Sequence, residues 1–233
     1  MKAILLAAGK GTRISRMVKD VPKSTLPING IPLIRHTVSM LLDTGMEVCV
    51  CIGYQKEKIK QALDGLPVTY YHNPFYDVTN SIASLWFARN EINDDMLILN
   101  ADVFFSKEIL SIILSDRHEV AIAMDTGRVE VGDYFFKTVN GCVKKYGKDL
   151  PREERNCEYV GMIRFNKSFT NKFCTEMERF INSQQHHRWW EETIYSMSEK
   201  TNIYTIDVKG YFWSEIDYFD DYERILAYLD GKL

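Results

Sequence analysis

Continuous apolar runs alternate with helix-spaced stretches through the first half of the chain. The runs at 3–7, 48–52, 68–71 and 96–99 are short and bounded by turn residues, a pattern that reads as buried strands. Between them the spacing predicts helices over 32–42, 56–63 and 81–91; Pro32 suits the first turn of one, and Gly45 closes it. Strand–helix alternation of this kind predicts an α/β chain with a mostly parallel sheet covered on both faces. Such sheets bind ligands beyond the carboxyl ends of their strands. Residues directly following a strand are therefore the first place to look for chemistry.

The pattern changes near Val120. Residues 121–123 form another short apolar run, and 134–146 alternates around Asn140-Gly141, a strong hairpin turn signal. Strands over 159–165 and 203–208 and helices over 171–181 and 220–229 complete the expectation. No internal repeat, low-complexity tract or linker breaks the pattern, so residues 1–233 read as one domain with an inserted subregion over 120–217 and a closing helix over 218–233.

Composition narrows the class. At 233 residues, with 45% hydrophobic and 26% charged positions, the chain is ordinary for a soluble globular protein. A net charge of −3 argues against a general binder of nucleic acid or anionic membrane, which would present a basic surface. Met1 leads straight into an apolar strand, with no basic leader and no membrane-length apolar run, so a cytoplasmic location is expected. Cys49, Cys51, Cys142, Cys157 and Cys174 lack zinc-type spacing. Cys49 and Cys51 share one face of a strand, where they read as small buried hydrophobes of a reducing compartment. The adjacent His186-His187 point apart and lack partner spacing, so they read as solvated polar residues.

The chemistry concentrates at Leu6-Ala7-Ala8-Gly9-Lys10-Gly11-Thr12-Arg13, with Pro22-Lys23 about ten residues on. Gly9 and Gly11 fall where the first strand ends, and let the backbone approach a polyanion without an intervening Cβ. Successive N–H groups in such a turn make an anion-binding nest. Arg13 adds a forked donor for phosphate oxygens, and Lys23 a point charge. The dinucleotide fingerprint is absent, because Ile14 stands where a third small residue is needed. The P-loop is absent too, because Gly11 follows Gly9-Lys10.

This run, followed by Pro22-Lys23, resembles the signature of the nucleotidyltransferase family that makes sugar nucleotides and CDP-alcohols. Pro32-Leu33-Ile34, Asn100-Ala101-Asp102 and Glu215-Ile216-Asp217 agree in order, so the resemblance spans nearly the whole chain. It implies a Rossmann-like three-layer sandwich with a mostly parallel mixed sheet, the nucleotide-diphospho-sugar transferase fold. Residues 1–119 would be the nucleotide-binding half and 120–217 the acceptor-binding part. The implied reaction is attack of a phosphate or phosphonate oxygen on the α-phosphorus of a nucleoside triphosphate, expelling pyrophosphate. Because the nucleophile is already an anion, catalysis reduces to alignment and charge neutralisation. Lys23 would then contact the transferring phosphate and Arg13 the pyrophosphate. Leu6, Ala7, Ala8, Gly9, Gly11, Thr12, Asn80 and Ser81 would line the nucleotide site.

Asp102 and Asp217 each follow a short strand, and such an acid either caps the next element or binds a metal. The resemblance carries the family's metal-binding aspartates onto both, with Mg²⁺ as the cofactor. The stretch from Tyr76 to Leu85 resembles choline-phosphate and related cytidylyltransferases, which points to CTP; Asn80 can serve a cytosine edge or cap the following helix. Trp189-Trp190-Glu191-Glu192 and Trp213 either pack in the core or face an ammonium group through cation–π and ion-pair attraction. Trp190-Glu191 is similar to the Trp-acid pair of choline-phosphate cytidylyltransferases. Lys148, Tyr159 and the residues beside them look more like aminoethylphosphonate cytidylyltransferases. The expected acceptor site is thus Lys148, Tyr159, Trp190, Glu191 and Trp213. A sugar-1-phosphate nucleotidyltransferase is the second reading, a catalytically inactive nucleotide-sensing module a third. A homodimer is compatible with the chain.

Overall fold

A computed structural model describes residues 1–11, 21–130 and 132–232. Thr12 and Arg13 lie outside the described residues. The expected alternation builds a nine-stranded sheet. Its strands are β1 (Lys2–Ala7), β4 (Glu47–Ile52), β5 (Val68–His72), β6 (Met96–Asn100), β8 (Val120–Asp125), β9 (Phe135–Val139), β10 (Cys142–Gly147), β11 (Cys157–Phe165) and β12 (Tyr204–Asp207). The spatial order is β5-β4-β1-β6-β11-β8-β12-β10-β9. β10 and β11 run against the remaining strands, so the sheet is mixed but mostly of one direction. Two short antiparallel ribbons stand apart, β2 (Pro27–Ile28) with β3 (Ile31–Pro32), and β7 (Val103–Phe105) with β13 (Trp213–Glu215).

Alternation along β1 divides the core. Ala3, Leu5 and Ala7 face Ile34, Val38 and Leu41 of α1 (Leu33–Asp43), Ile59 of α2 (Lys56–Ala62) and Ile109, Leu110 and Ile113 of α4 (Lys107–Ser115). Ile4 turns the other way. With Cys49 and Cys51 it meets Ile82 and Leu85 of α3 (Ser81–Phe87), Phe169, Phe173 and Met177 of α5 (Lys167–Asn182), and Ile194 of α6 (Glu192–Tyr195). Helices thus cover both faces, which is the three-layer arrangement that a two-sided apolar sheet requires. The closing helix α7 (Phe219–Leu229) packs Ile225 into a third cluster with Leu26, Ile28, Leu33, Phe104 and Ile216.

Several boundaries differ from the sequence expectation. Pro32 ends β3 and precedes α1 instead of entering it. α3 stops at Phe87, and a 3-10 turn over Arg89–Glu91 replaces its last turn. α5 begins at Lys167, four residues before the expected start, and buries Phe169, Phe173, Met177 and Phe180 at helical spacing. α4, α6 and β7 were not anticipated, whereas β13 lies in the short strand expected before Asp217. The Asn140-Gly141 turn joins β9 to β10, both residues at positive φ (51° and 71°), as a tight hairpin needs. No helix of the described residues is long and apolar enough to cross a membrane.

Candidate active site

The ends of β1 and β6 open into one cleft, of about 220 Å³. Its walls include Leu6, Ala7, Ala8, Gly9, Gly11, Lys23, Asn80, Ser81 and Asp102, so these sequence-selected residues converge. The N–H of Ala101 donates to the Leu6 carbonyl at 3.1 Å, which ties the two strand ends together. Gly11 has φ of +58°, and a Cβ there would come within 2.6 Å of Lys23 Cγ. A side chain at residue 11 would therefore push directly on the lysine. Gly53 is the other close approach: a Cβ would meet Tyr76 at 2.7 Å and the Ala8 carbonyl at 2.8 Å, so its absence lets the loop after β1 close against Tyr76.

The β7–β13 ribbon explains how Asp102 and Asp217 come together. Asp102 sits in the turn between β6 and β7; Val103 pairs with Glu215, and the Ile216 N–H donates to the Asp102 carbonyl at 3.0 Å. Lys23 Nζ donates to Asp217 Oδ1 and lies 3.8 Å from Asp102 Oδ2, with its side chain 10% exposed. Capping of α7 falls to Asp221, whose Oδ2 accepts the N–H groups of Asp217 and Tyr218 at 3.0 and 2.8 Å. Asp217 therefore faces Lys23 and leaves the cap to its neighbour.

Charge is concentrated here. Burial works against the Lys23 ammonium, but Asp102, Asp217 and Glu215 outweigh it and hold its pKa above the ordinary lysine value. Burial, then the adjacent carboxylates Asp102 and Asp217, hold the Glu215 carboxyl well above its usual range. Burial and the neighbouring Asp133 raise Asp217 as well, against the pull of Lys23. Three acids around one lysine leave negative charge in excess, a setting that a cation relieves. Among the described residues no group of three His, Cys, Asp or Glu side chains forms an all-protein metal cage. Magnesium does not need one, since it takes one or two carboxylates and draws its other ligands from phosphate and water.

A turn over residues 73–80 forms the opposite wall. Buried Asn73 donates to Thr79 Oγ1 and Ser84 Oγ at 3.1 and 3.0 Å, and accepts from the Phe75 N–H at 2.9 Å. Asn80 caps α3, its Oδ1 accepting from the Ser81 N–H at 2.7 Å. The same helix start is laced to the segment before α6. Asn80 N–H donates to the His186 carbonyl at 2.9 Å, and Trp190 N–H to Ser81 Oγ at 3.0 Å.

That lacing puts a second compartment, of about 90 Å³, beside the first. Asn100, Trp189, Glu191 and Glu215 wall both. Asp133, Tyr134, Lys148, Tyr159, Glu192 and Tyr195 complete the smaller one. Lys148, Tyr159 and Glu191 are thus brought together as the sequence expects. Trp190 and Trp213 are not among the wall residues. Trp190 is fully buried in the core, its indole N–H donating to Asn100 Oδ1 at 2.9 Å. Trp213 is buried too, donating to Asp125 Oδ2 at 2.9 Å under the Arg128 guanidinium, 4.1 Å away. Trp189, 41% exposed, is the tryptophan that faces both compartments. Its choice over Trp190 depends on an irregular backbone that no periodicity encodes, whereas Asn100 was findable from the Asn-Ala-Asp run itself.

Glu191 is the most unusual group of the smaller compartment. Its Oε1 accepts from Asn100 Nδ2 at 3.1 Å, while Oε2 is buried with no hydrogen-bond partner among the described residues. Burial pushes its carboxyl up to about 7, against hydrogen bonds from its own backbone and Asn100. Glu192, next to it, is instead paired with Arg188.

Comparisons with known proteins agree with this architecture. The family model of the MobA-like NTP transferase domain matches residues 3–157. CTP:phosphoglutamine cytidylyltransferase of Campylobacter jejuni is 25% identical over 96% of this chain and 98% of its own. CMP-5'-(3-aminopropyl)phosphonate synthase of Streptomyces rubellomurinus is 29% identical over 53% of this chain and 20% of its own. The chain spans about half the length of several other relatives it matches. Among solved structures, CTP:phosphocholine cytidylyltransferase of Streptococcus pneumoniae superposes with a TM-score of 0.82 at 19% identity, covering 98% of each chain. That likeness identifies the nucleotide-diphospho-sugar transferase fold.

Proposed function

The chain belongs to the MobA-like NTP transferase family, and from that premise we propose that it transfers CMP from CTP to a small amine-bearing phosphate or phosphonate, releasing pyrophosphate. The observation that carries the proposal is the juncture of the two compartments. A glycine-lined cleft with Lys23 and Asp102, the lysine paired with Asp217, opens directly onto a smaller recess walled by Glu191, whose Oε2 is buried without a hydrogen-bond partner among the described residues. The larger cleft suits a triphosphate, and the smaller one an acceptor with a cationic end.

An acceptor oxygen attacks the α-phosphorus, the new P–O bond forms, and the bond to the bridging oxygen breaks as pyrophosphate leaves. Lys23 offsets the charge on the transferring phosphate; Arg13 is assigned to the pyrophosphate. Preorganised charge of this kind is typically worth about 3–4 kcal/mol per contact in the transition state. Asp102 and Asp217 would hold Mg²⁺, which when bound supplies Lewis-acid neutralisation of the phosphates. Asn80 uses its oxygen for the helix cap, which leaves its amide N–H₂ as a donor for cytosine N3. The N3 of uracil is itself a donor, so the same amide disfavours it. A cytoplasmic location is part of the same proposal, and a homodimer is compatible with it.

Pyrophosphate release with CTP, UTP, GTP or ATP, each with an amine-bearing phosphate acceptor, tests the reading. Release with CTP and Mg²⁺, abolished by EDTA and restored by added Mg²⁺, is expected. Preference for UTP with a sugar-1-phosphate would overturn the proposal in favour of sugar-nucleotide synthesis.

A further inference from the structure

We infer that the smaller compartment recognises a nitrogen that carries hydrogens, a primary ammonium or amide, and rejects a trimethylated one. The inference rests on the cytidylyltransferase reading and narrows its acceptor. The compartment's aromatic surface is already engaged. Lys148 Nζ sits 4.5 Å from the centre of the Trp189 ring, filling the place a quaternary ammonium would take for cation–π contact. Tyr134 stacks on Tyr195 at 5.4 Å, and Tyr146 leans on Tyr195 at 5.1 Å. The rings face one another, and among the described residues they form no open aromatic cage.

Three polar atoms, in contrast, keep open lone pairs. Glu191 Oε2 is buried with no hydrogen-bond partner among the described residues, and the buried hydroxyls of Tyr159 and Tyr195 beside it have only each other among those residues. Glu191 and Tyr195 are 7% and 2% exposed and belong to the compartment's walls. A tyrosine hydroxyl has one donor and two acceptor lone pairs, so even contact between the two would leave lone pairs open. Leaving such groups buried and unpaired is costly, and an N–H-bearing nitrogen can satisfy all three. A trimethylammonium has no N–H and satisfies none. Glu192 does not compete for this role, because Arg188 already holds it.

The test compares O-phosphoethanolamine with phosphocholine, which share the phosphate and the two-carbon spacer and differ in three methyl groups. With CTP and Mg²⁺, kcat/KM for phosphoethanolamine should exceed that for phosphocholine by at least about 100-fold, because a site built to donate and accept hydrogen bonds discriminates strongly against analogues lacking them. In Glu191→Gln, the KM for phosphoethanolamine should rise at least about tenfold, more than kcat falls, and the discrimination should shrink. Should that variant not fold, the wild-type ratio decides alone. Equal or better use of phosphocholine overturns the inference while leaving CMP transfer to an amine acceptor standing. Turnover of neither amine, with a sugar-1-phosphate accepted instead, removes the underlying reading and the inference with it.

Discussion

At the scale of single residues, Gly11 and Lys23 act as one unit. Alanine at 11 would sit at a φ that costs L-residues about 1–2 kcal/mol, with its Cβ 2.6 Å from Lys23 Cγ. Displacing a phosphate-binding group by ~1 Å commonly costs on the order of 10²-fold in rate. Gly11→Ala should thus lose about that much kcat/KM with CTP. A loss below about tenfold would show that Lys23 does not depend on this contact. The pairing was half legible in the sequence. Two glycines after a buried strand announce an anion site, but the dependence of Lys23 on Gly11 arises only once the chain folds back from Pro22. Similarly, the sequence marked a tryptophan–glutamate cluster without telling the wall residue Trp189 from the core residue Trp190.

Among the elements, the long buried strands and amphipathic helices were readable because each carries its own period. β7 and α6 were not, since segments of three or four residues are too short to carry a period and exist through non-local partners. α4 was missed for a different reason: Ile109, Leu110, Ile112, Ile113 and Leu114 make an apolar run equally compatible with a strand. The element that matters most for the site is the start of α7. Asp221 holds the N–H groups of Asp217 and Tyr218, so it caps the helix and fixes the backbone of the carboxylate that pairs with Lys23 at once. Asp221→Ala should cost about 1 kcal/mol of stability, the usual loss for a helix cap. It should also raise the Mg²⁺ concentration for half-maximal activity several-fold. A titration of activity against Mg²⁺ at matched folded fraction checks this, and an unmoved midpoint would reduce Asp221 to a helix cap.

For the whole molecule, two buried acids set an opposing pH trend. Glu158 and Glu191 are both pushed up to about 7, in each case chiefly by burial. The unfolded chain releases these protons near the ordinary glutamate value of 4.5, while the folded chain keeps them to about 7. Between those values the folded state binds more protons, so each group's contribution falls as pH rises through the window and levels off above it. One such group is worth up to about 3 kcal/mol across the window. Glu191→Gln should therefore lose less stability than wild type between pH 5 and pH 7.5 in urea denaturation; parallel curves would show that Glu191 titrates normally. The β7–β13 ribbon carries a consequence of another kind, in time instead of space. Its second strand and the two residues after it, 213–217, come from near the end of the chain, whereas the glycine loop follows the first strand and Lys23 opens the short 3-10 turn Lys23–Thr25. A chain emerging from the ribosome can thus complete its first parallel strands long before it owns the second carboxylate. A nascent fragment ending before residue 213 carries the glycine loop, Lys23 and Asp102 but lacks the acids at 215 and 217 that surround that lysine in the finished fold.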